Sequence, residues 1–358
     1  MAEVSITNHI HKFKTSAPNS LTADEAFDLS AIKGKVILMT GATNGLGAAC
    51  LDAMCEAEGN KPIKVVLVSR NAKLADAKKA LLEKNGILTT SYIADLSSPA
   101  QVVRVCDEIL AAEPVLHTLG LNAGAWLTNS KREMNVDGYE MMYCVNFLQM
   151  VTFMEKLAPL VSKNSTSTAQ GRICVMGSFT TLSMAKGKLD FDSLKKEGPW
   201  KLVQNGGYPY SQTKLAQHIY VKHITSKNLV PENVTVNVAC PGAVLTNIDG
   251  WQTMKKKLGF CFGPIFSLIG GRTPRTGAAT FLHMLGASHM DGKTGKFVDF
   301  GYKNAWLRIT KPDDLDFYPS EGKGKTGRGK ENNAIMDAAV RERLYKETQE
   351  VLSPFLSV

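Results

Sequence analysis

The chain has 358 residues, of which 44% are hydrophobic, and it carries a formal net charge of +9 from 42 Lys and Arg against 33 Asp and Glu. This length and apolar content suffice for one large α/β domain or two smaller ones with a buried core. No segment has the ~18 uninterrupted apolar residues of a transmembrane helix, and the N-terminal region lacks a signal peptide's apolar run. These features predict a cytoplasmic protein and argue against an integral membrane protein.

The seven cysteines are scattered, mostly within apolar runs, with no CxxC pair and no histidine nearby at metal-ligand spacing. We interpret them as packing residues and expect no metal site. The excess positive charge is spread over helix-like segments without aromatic-basic alternation, so nucleic-acid binding ranks last among the alternatives. The densest basic segment, EGKGKTGRGKENN at 321–333, predicts a flexible surface loop.

Short apolar, β-branched runs alternate with amphipathic segments along most of the chain. Strands that are buried on both faces give nearly continuous apolar runs, and helical crossovers between them require a parallel sheet. The sequence therefore predicts an α/β protein with a doubly wound parallel sheet, the Rossmann fold. Predicted strands lie at 35–40, 64–69, 115–124, 172–178 and 233–242, another strand ends in the segment 92–98, and an edge strand lies at 295–301. Predicted helices include 46–59, 72–86, 139–161 and 333–352.

No internal repeat or linker divides this pattern into two domains. We predict a single domain at 33–301, an N-terminal extension at 1–32, and a C-terminal extension at 302–358 that contains the basic loop and a terminal helix.

The first predicted strand runs directly into TGATNGLG at 40–47, which opens the first helix. Glycines at such a turn allow a ligand to approach closely, while the N–H groups and dipole at the helix start attract a pyrophosphate. The glycine spacing departs from the GxGxxG fingerprint, so the prediction of a nucleotide site depends on the strand-to-helix context.

The second predicted strand ends in Ser69 and Arg70. A site for NAD usually carries an acidic residue here for the ribose 2′-hydroxyl, whereas an arginine suits a 2′-phosphate. The sequence therefore favours NADP(H). The alternative is that Arg70 is an ordinary surface residue at a strand end.

The segment GGYPYSQTK at 206–214 places Lys214 four residues after Tyr210, on the same face of a predicted helix, whereas Tyr208 has only Gln212 at that spacing. An adjacent ammonium favours the phenolate and lowers the pKa of a tyrosine, which makes it a usable acid or base. With 42 Lys and Arg in the chain, one such pair is expected by chance among nine tyrosines.

Together these segments resemble the short-chain dehydrogenase/reductase family over residues 33–301. The family's strand-four signature, Asn-Asn-Ala-Gly, appears as LNAG at 121–124, with one asparagine missing, and PGAVLT at 241–246 resembles the segment that holds the nicotinamide carboxamide. The resemblance implies a catalytic set of Asn146, Ser178, Tyr210 and Lys214. With Arg70, it implies an NADP(H) site formed by Gly41, Thr43, Asn44, Gly45, Leu46, Gly47, Asp95, Leu96, Asn122, Ala123, Gly124, Tyr210, Lys214, Pro241, Gly242, Val244 and Thr246.

The resemblance also implies roles. Tyr210 would donate a proton to a carbonyl oxygen as hydride arrives from NADPH, and Lys214 would lower the pKa of Tyr210 and hold the nicotinamide ribose. Ser178 would hydrogen-bond the substrate oxygen, and Asn146 would hold a water that relays protons to Lys214. The alternatives are a turn hydroxyl for Ser178, a helix-interior amide for Asn146 and an exposed helix charge for Lys214.

LDFDSL at 189–194, the following YPYSQTKLAQ and the C-terminal AAVRERLYKETQEVL are similar to the retinol-dehydrogenase-like branch, which includes protochlorophyllide reductases. This implies an oxidoreductase for a lipophilic carbonyl or alcohol, such as a retinoid, a sterol, or a long-chain aldehyde or ketone. The alternatives are a light-driven, protochlorophyllide-type C=C reductase and a non-catalytic NADP-binding scaffold.

The segment WQTMKKKLGFCFGPIFSLIGG at 251–271 combines three lysines with an apolar stretch. In the resembling family this region is a lid over the substrate, and basic residues beside an apolar face also suit peripheral contact with an anionic membrane. Core packing is the other interpretation. A homodimer is common in the family, although the C-terminal extension would block one interface.

Overall fold

The computed structural model describes residues 28–128, 133–166, 169–185, 187–195, 207–244, 246, 255–256, 259, 272–299 and 333–356. Its strands are β1 (Val36–Thr40), β2 (Lys64–Ser69), β3 (Leu88–Ile93), β4 (Thr118–Leu121), β5 (Gly171–Met176), β6 (Val234–Cys240) and β7 (Phe297–Asp299). All neighbours pair in parallel in the order β3-β2-β1-β4-β5-β6-β7. The chain reverses direction across the sheet between β1 and β4, which confirms the predicted doubly wound Rossmann fold.

Helices connect the strands. They are α1 (Gly45–Glu56), α2 (Ala72–Lys84), α3 (Pro99–Ala112), α4 (Met141–Tyr143), α5 (Gln149–Lys163), α6 (Thr180–Ser183), α7 (Phe191–Lys195), α8 (Gly207–Ser226), α9 (Pro274–Gly286), α10 (Asn333–Met336) and α11 (Ala338–Leu356). A π-helical turn, Cys144–Leu148, joins α4 to α5. Short 3-10 turns lie at Ser30–Ile32 and Ser288–Met290.

Local chemistry explains where several helices begin. The side chain of Asn71 accepts a hydrogen bond from the Leu74 N–H at the start of α2, and Ser98 caps α3 in the same way, with Pro99 at the first helical position. The predicted terminal helix is interrupted because Asp337 accepts hydrogen bonds from the N–H groups of Ala339 and Val340 and starts a new helix.

Each face of the sheet has its own apolar core. Every residue of β1, β5 and β6 is buried, as expected for strands that are covered on both sides. One core packs α1 and α9 against the sheet, and the other packs α3, α5, α8 and α11 against the opposite face. The six described cysteines lie buried in these cores or beside them, consistent with the interpretation as packing residues.

The C-terminal helix α11 packs on α8. The Tyr345 ring stacks on Tyr220 and on His223, with centroid distances of 5.8 and 4.7 Å. Glu155 accepts hydrogen bonds from the Tyr220 hydroxyl and from Gln349, which ties α11 to α5 and α8. The end of the C-terminal extension therefore covers the outer face of α8.

The predicted division into a domain and two extensions stays a prediction. Residues 1–27 and 300–332, which include most of the predicted basic loop, lie outside the described residues. Among the helices that the structure describes, none is both long and apolar enough to cross a bilayer.

Candidate active site

The glycine loop after β1 is docked on the turn that follows β4. Gly41 has φ +63°, and a Cβ there would lie 2.7 Å from the Ala123 Cα, so only glycine fits. The Asn122 amide donates to the Gly41 carbonyl at 2.9 Å, and the Ala123 N–H donates to the Thr40 hydroxyl at 3.1 Å. The retained asparagine of the LNAG segment thus supports the loop at the edge of the sheet where the strands end.

The start of α1 keeps its N–H groups available to an anion. Asn44 precedes the helix in an extended conformation and makes no side-chain capping bond, and the first turn has no acidic residue, in contrast to the capped α2 and α3. Gly45 has φ +55°, and a Cβ there would lie 3.3 Å from Thr246 Cγ2. Thr246 of the PGAVLT segment therefore lies against the glycine loop at the start of α1.

The residues predicted to bind the adenosine end lie after β2 and β3. Arg70 is exposed at the end of β2, where a 2′-phosphate can reach it. Asp95 accepts hydrogen bonds at one carboxylate oxygen, from the Ser97 N–H at 3.0 Å and the Ser97 hydroxyl at 2.9 Å. Leu96 beside it is buried.

Tyr210 and Ser178 meet where β5 ends and α8 begins. Tyr210 is only 8% exposed, and Ser178 lies close enough to its hydroxyl to lower the pKa of the phenol. The Ser178 oxygen accepts hydrogen bonds from the Thr180 N–H at 3.3 Å and the Thr180 hydroxyl at 3.0 Å. With its acceptor capacity used, the Ser178 hydroxyl proton is directed away from Thr180 and can be donated.

Lys214 lies one helical turn after Tyr210, as the spacing predicted. It is 2% exposed, which excludes the alternative of a solvated helix charge, and its Nζ donates to the Met176 carbonyl at 2.7 Å. Nζ lies 5.8 Å from the centroid of the Tyr210 ring. A Cβ on Gly124 would come within 3.4 Å of it, so the glycine of the LNAG segment makes room for the lysine.

Burial dominates the electrostatics of this pair, and the predicted lowering of the Tyr210 pKa by Lys214 stays a prediction. Burial raises the pKa of Tyr210 to about 12, and the nearby Ser178 only partly offsets it. Burial also lowers the pKa of Lys214 to about 7. Both charged forms lose their hydration here, so burial favours the neutral state of each group. Near neutral pH the phenol holds its proton.

Asn146 lies in the π-helical turn and joins three elements. Its Oδ1 accepts from the Ala125 N–H at 2.7 Å, and its Nδ2 donates to the Ala125 carbonyl and to the Thr213 hydroxyl at 3.0 and 2.8 Å. Its backbone carbonyl accepts from Gln217 Nε2 at 2.6 Å. Asn146 therefore clamps the LNAG turn to α8, and its predicted water-holding role stays a prediction.

Sequence reasoning missed four residues of this site. Thr213 and Gln217 follow Tyr210 by three and seven residues, so helical spacing and their polar nature on a buried face were a usable signal. Arg272 donates to the Pro241 carbonyl at 3.1 Å, and Trp126 stacks on Tyr210. No local pattern marks these last two, because their partners lie far away in the chain.

Most of the predicted lid lies outside the described residues. Of residues 251–271, only Lys255, Lys256 and Gly259 are among the described residues. The segment before it ends in an isolated parallel bridge between Val244 and Arg272, and the Arg272 guanidinium packs on Gly242, which has φ +75°. Arg272 therefore holds the Pro241–Val244 segment in place.

Comparisons with known proteins show which proteins this chain is similar to. The family model for short chain dehydrogenases matches residues 35–189. Retinol dehydrogenase 14 of Mus musculus is 28% identical over 300 residues, covering 79% of this chain and 82% of the relative. Polyprenol dehydrogenase of Danio rerio is 28% identical over 284 residues, covering 77% and 81%.

Solved structures show the same fold. L-sorbose reductase from Gluconobacter frateurii, complexed with NADPH and L-sorbose, has a TM-score of 0.58 at 19% identity and covers 76% of this chain and 96% of its own. A 3-oxoacyl (acyl-carrier-protein) reductase from Agrobacterium tumefaciens with NADP bound has a TM-score of 0.57 at 19% identity, with coverages of 79% and 98%.

Proposed function

This chain belongs to the short-chain dehydrogenase/reductase family, and from that premise we propose that it is an NADP(H)-dependent oxidoreductase acting on a carbonyl or alcohol. The observation that carries the proposal is the buried Tyr210 with Ser178 and Lys214 beside it, at the edge of the sheet that holds the glycine loop. Ligands bind at that edge in open α/β sheets.

The residues present fit a dinucleotide. The uncapped start of α1 and the glycines that a Cβ would obstruct suit a pyrophosphate, and Arg70 suits a 2′-phosphate. Asp95 and Leu96 would hold the adenine, while Lys214 and the segments around Asn122 and Pro241 would hold the nicotinamide riboside. When bound, NADP(H) supplies or accepts a hydride.

In this proposal, Tyr210 and Ser178 carry out the proton transfer and stabilise the developing charge. Because burial raises the pKa of Tyr210 to about 12, its phenol is protonated at neutral pH and serves as the proton donor to a carbonyl oxygen. The Ser178 hydroxyl, oriented by Thr180, donates a hydrogen bond to the same oxygen and stabilises the negative charge that develops there.

The substrate that we propose is lipophilic. Similarity to a retinol dehydrogenase and a polyprenol dehydrogenase supports a retinoid or another long-chain aldehyde, ketone or alcohol. The test is a panel of retinoids, long-chain aldehydes, sterol ketones and quinones, with NADPH oxidation as the readout. Turnover that requires light and a bound pigment would favour the C=C reductase instead, and cofactor binding without any turnover would favour the scaffold.

We expect replacement of Arg70 with Ala to raise KM for NADPH by roughly tenfold or more and to leave KM for NADH nearly unchanged. The reason is that the guanidinium interacts only with the 2′-phosphate, and a charge-assisted hydrogen bond is worth about 1.5–3 kcal/mol. Lys73→Ala is the matched control, because Lys73 is also exposed and lies at the start of α2. Equal losses for both cofactors would show that Arg70 does not select NADP(H).

Membrane contact through residues 251–271, homodimerisation and a cytoplasmic location stay predictions. Flotation with anionic liposomes, with and without residues 251–271, tests the first of them. Flotation that is unchanged by the deletion would leave the lid as a cover for the substrate alone.

A further inference from the structure

An aromatic stack covers one face of Tyr210. The indole of Trp126 and the phenol ring lie 5.1 Å apart between centroids and 12° from parallel. Trp126 is 7% exposed, so this ring is as deeply buried as Tyr210. Trp126 follows the LNAG turn by two residues, whereas Tyr210 lies on α8, so the contact joins two separate walls of the site.

The backbone around Trp126 is held on both sides. Ala125 exchanges two hydrogen bonds with the side chain of Asn146, and the Leu127 N–H donates to Met142 Sδ at 3.4 Å. At the start of α8, a Cβ on Gly207 would lie 3.6 Å from Trp126 Cζ2 and 3.0 Å from Met184 Sδ. Hydrogen bonds therefore hold the backbone on both sides of Trp126, and its indole lies close to Gly207.

We propose that Trp126 is a positioning residue for Tyr210, whose indole holds the phenol ring in the orientation that directs its hydroxyl to Ser178. Offset parallel packing is a favoured geometry for two aromatic rings. With the indole against one face, the tyrosine side chain has no room to rotate towards Trp126. Replacing the indole with a methyl group opens that space and admits water to the phenol.

The polar and titratable groups near Tyr210 lie on its own helix and on neighbouring elements. Lys214 lies on the same helix, Ser178 follows β5, and Cys240 at the end of β6 acts weakly on the phenol. Trp126 adds no charge to this set. Its contribution is to exclude water and to fix the ring, and burial is the largest cause of the raised pKa of Tyr210.

The test compares Trp126→Ala and Trp126→Phe in the full-length protein, with NADPH and all-trans-retinal as the probes. This kinetic comparison rests on the proposed function. We expect Trp126→Ala to lower kcat about tenfold with KM for NADPH unchanged, and Trp126→Phe to restore kcat to within about threefold of the wild type. In a Tyr210→Phe background, Trp126→Ala should have no further effect on kcat, because the indole acts through the phenol.

A second readout needs no turnover. Two stacked rings couple in the near-ultraviolet circular dichroism spectrum, so the changes from Trp126→Ala and Tyr210→Phe should be non-additive. In retinol oxidation, the pH at which the rate of Trp126→Ala levels off should lie below that of the wild type, because a hydrated phenol ionises more readily.

Tyr345→Ala is the matched control, since it removes a ring stacked on Tyr220, remote from Tyr210, and should leave kcat unchanged. Additive effects on kcat and on the spectrum, or a loss in Trp126→Ala that Tyr345→Ala reproduces, would overturn the proposal. Non-additive spectra with no turnover by the wild type would support the positioning of Tyr210 and count against the proposed function.

Discussion

Replacing Tyr210 with Phe lowers kcat for carbonyl reduction by at least about a hundredfold and leaves the affinity for NADPH nearly unchanged. Phenylalanine keeps the ring that packs against Trp126 and removes only the hydroxyl that meets Ser178. Steady-state kinetics with the best carbonyl of the substrate panel, together with a fluorescence titration of NADPH, measures both quantities.

Tyr208→Phe is the matched control. Tyr208 lies two residues earlier on α8 and is half-buried, and burial and the Asp190 carboxylate raise its pKa. We expect turnover within about twofold of the wild type for this variant. Retained turnover in Tyr210→Phe, or an equal loss in Tyr208→Phe, would contradict the assignment of Tyr210 as the proton donor.

The position of the site was predictable because a parallel sheet brings the carboxyl ends of its strands to one edge. The glycine loop, Asp95, the LNAG turn and Ser178 each follow a strand whose apolar run is visible in the sequence. Tyr210 and Lys214 were predictable from the helical period, and the structure places Lys214 beside Tyr210 as that period requires.

The chemistry within the site was less predictable, because it depends on burial and on distant partners. The direction of the Tyr210 pKa follows from the removal of water by all the elements that surround α8, and no spacing within 206–214 contains that information. Likewise, the bonds of Asn146 to Ala125 and Gln217, and the contact of Trp126 with Tyr210, join segments that are separated by about 20 to 84 residues. A sequence pattern indicates helices and strands, whereas a contact between distant elements is visible only in the folded structure.

Lys214→Met should abolish most activity and also stabilise the protein against unfolding. Burial lowers the pKa of Lys214 from 10.5 to about 7, and at about 1.4 kcal/mol per unit this desolvation costs up to about 5 kcal/mol. Methionine avoids that cost but leaves the Met176 carbonyl without its donor, which offsets roughly 1–3 kcal/mol. We expect a net gain of about 2 kcal/mol at pH 6 in urea unfolding without added cofactor, with turnover down at least about a hundredfold.

The pH dependence separates this explanation from simple packing. Between about pH 7 and 10.5 the unfolded wild type holds a proton on Lys214 that the folded protein has released, so wild-type stability rises with pH in that window. The variant lacks this dependence, and its advantage should be constant below pH 7 and should shrink as the pH approaches 10. Lys222→Met on the same helix, where the side chain is partly exposed, should show no such pH-dependent gain. A stability difference that does not vary from pH 6 to pH 10 would mean that burial does not lower the pKa of Lys214, and it would contradict this explanation of the gain in stability.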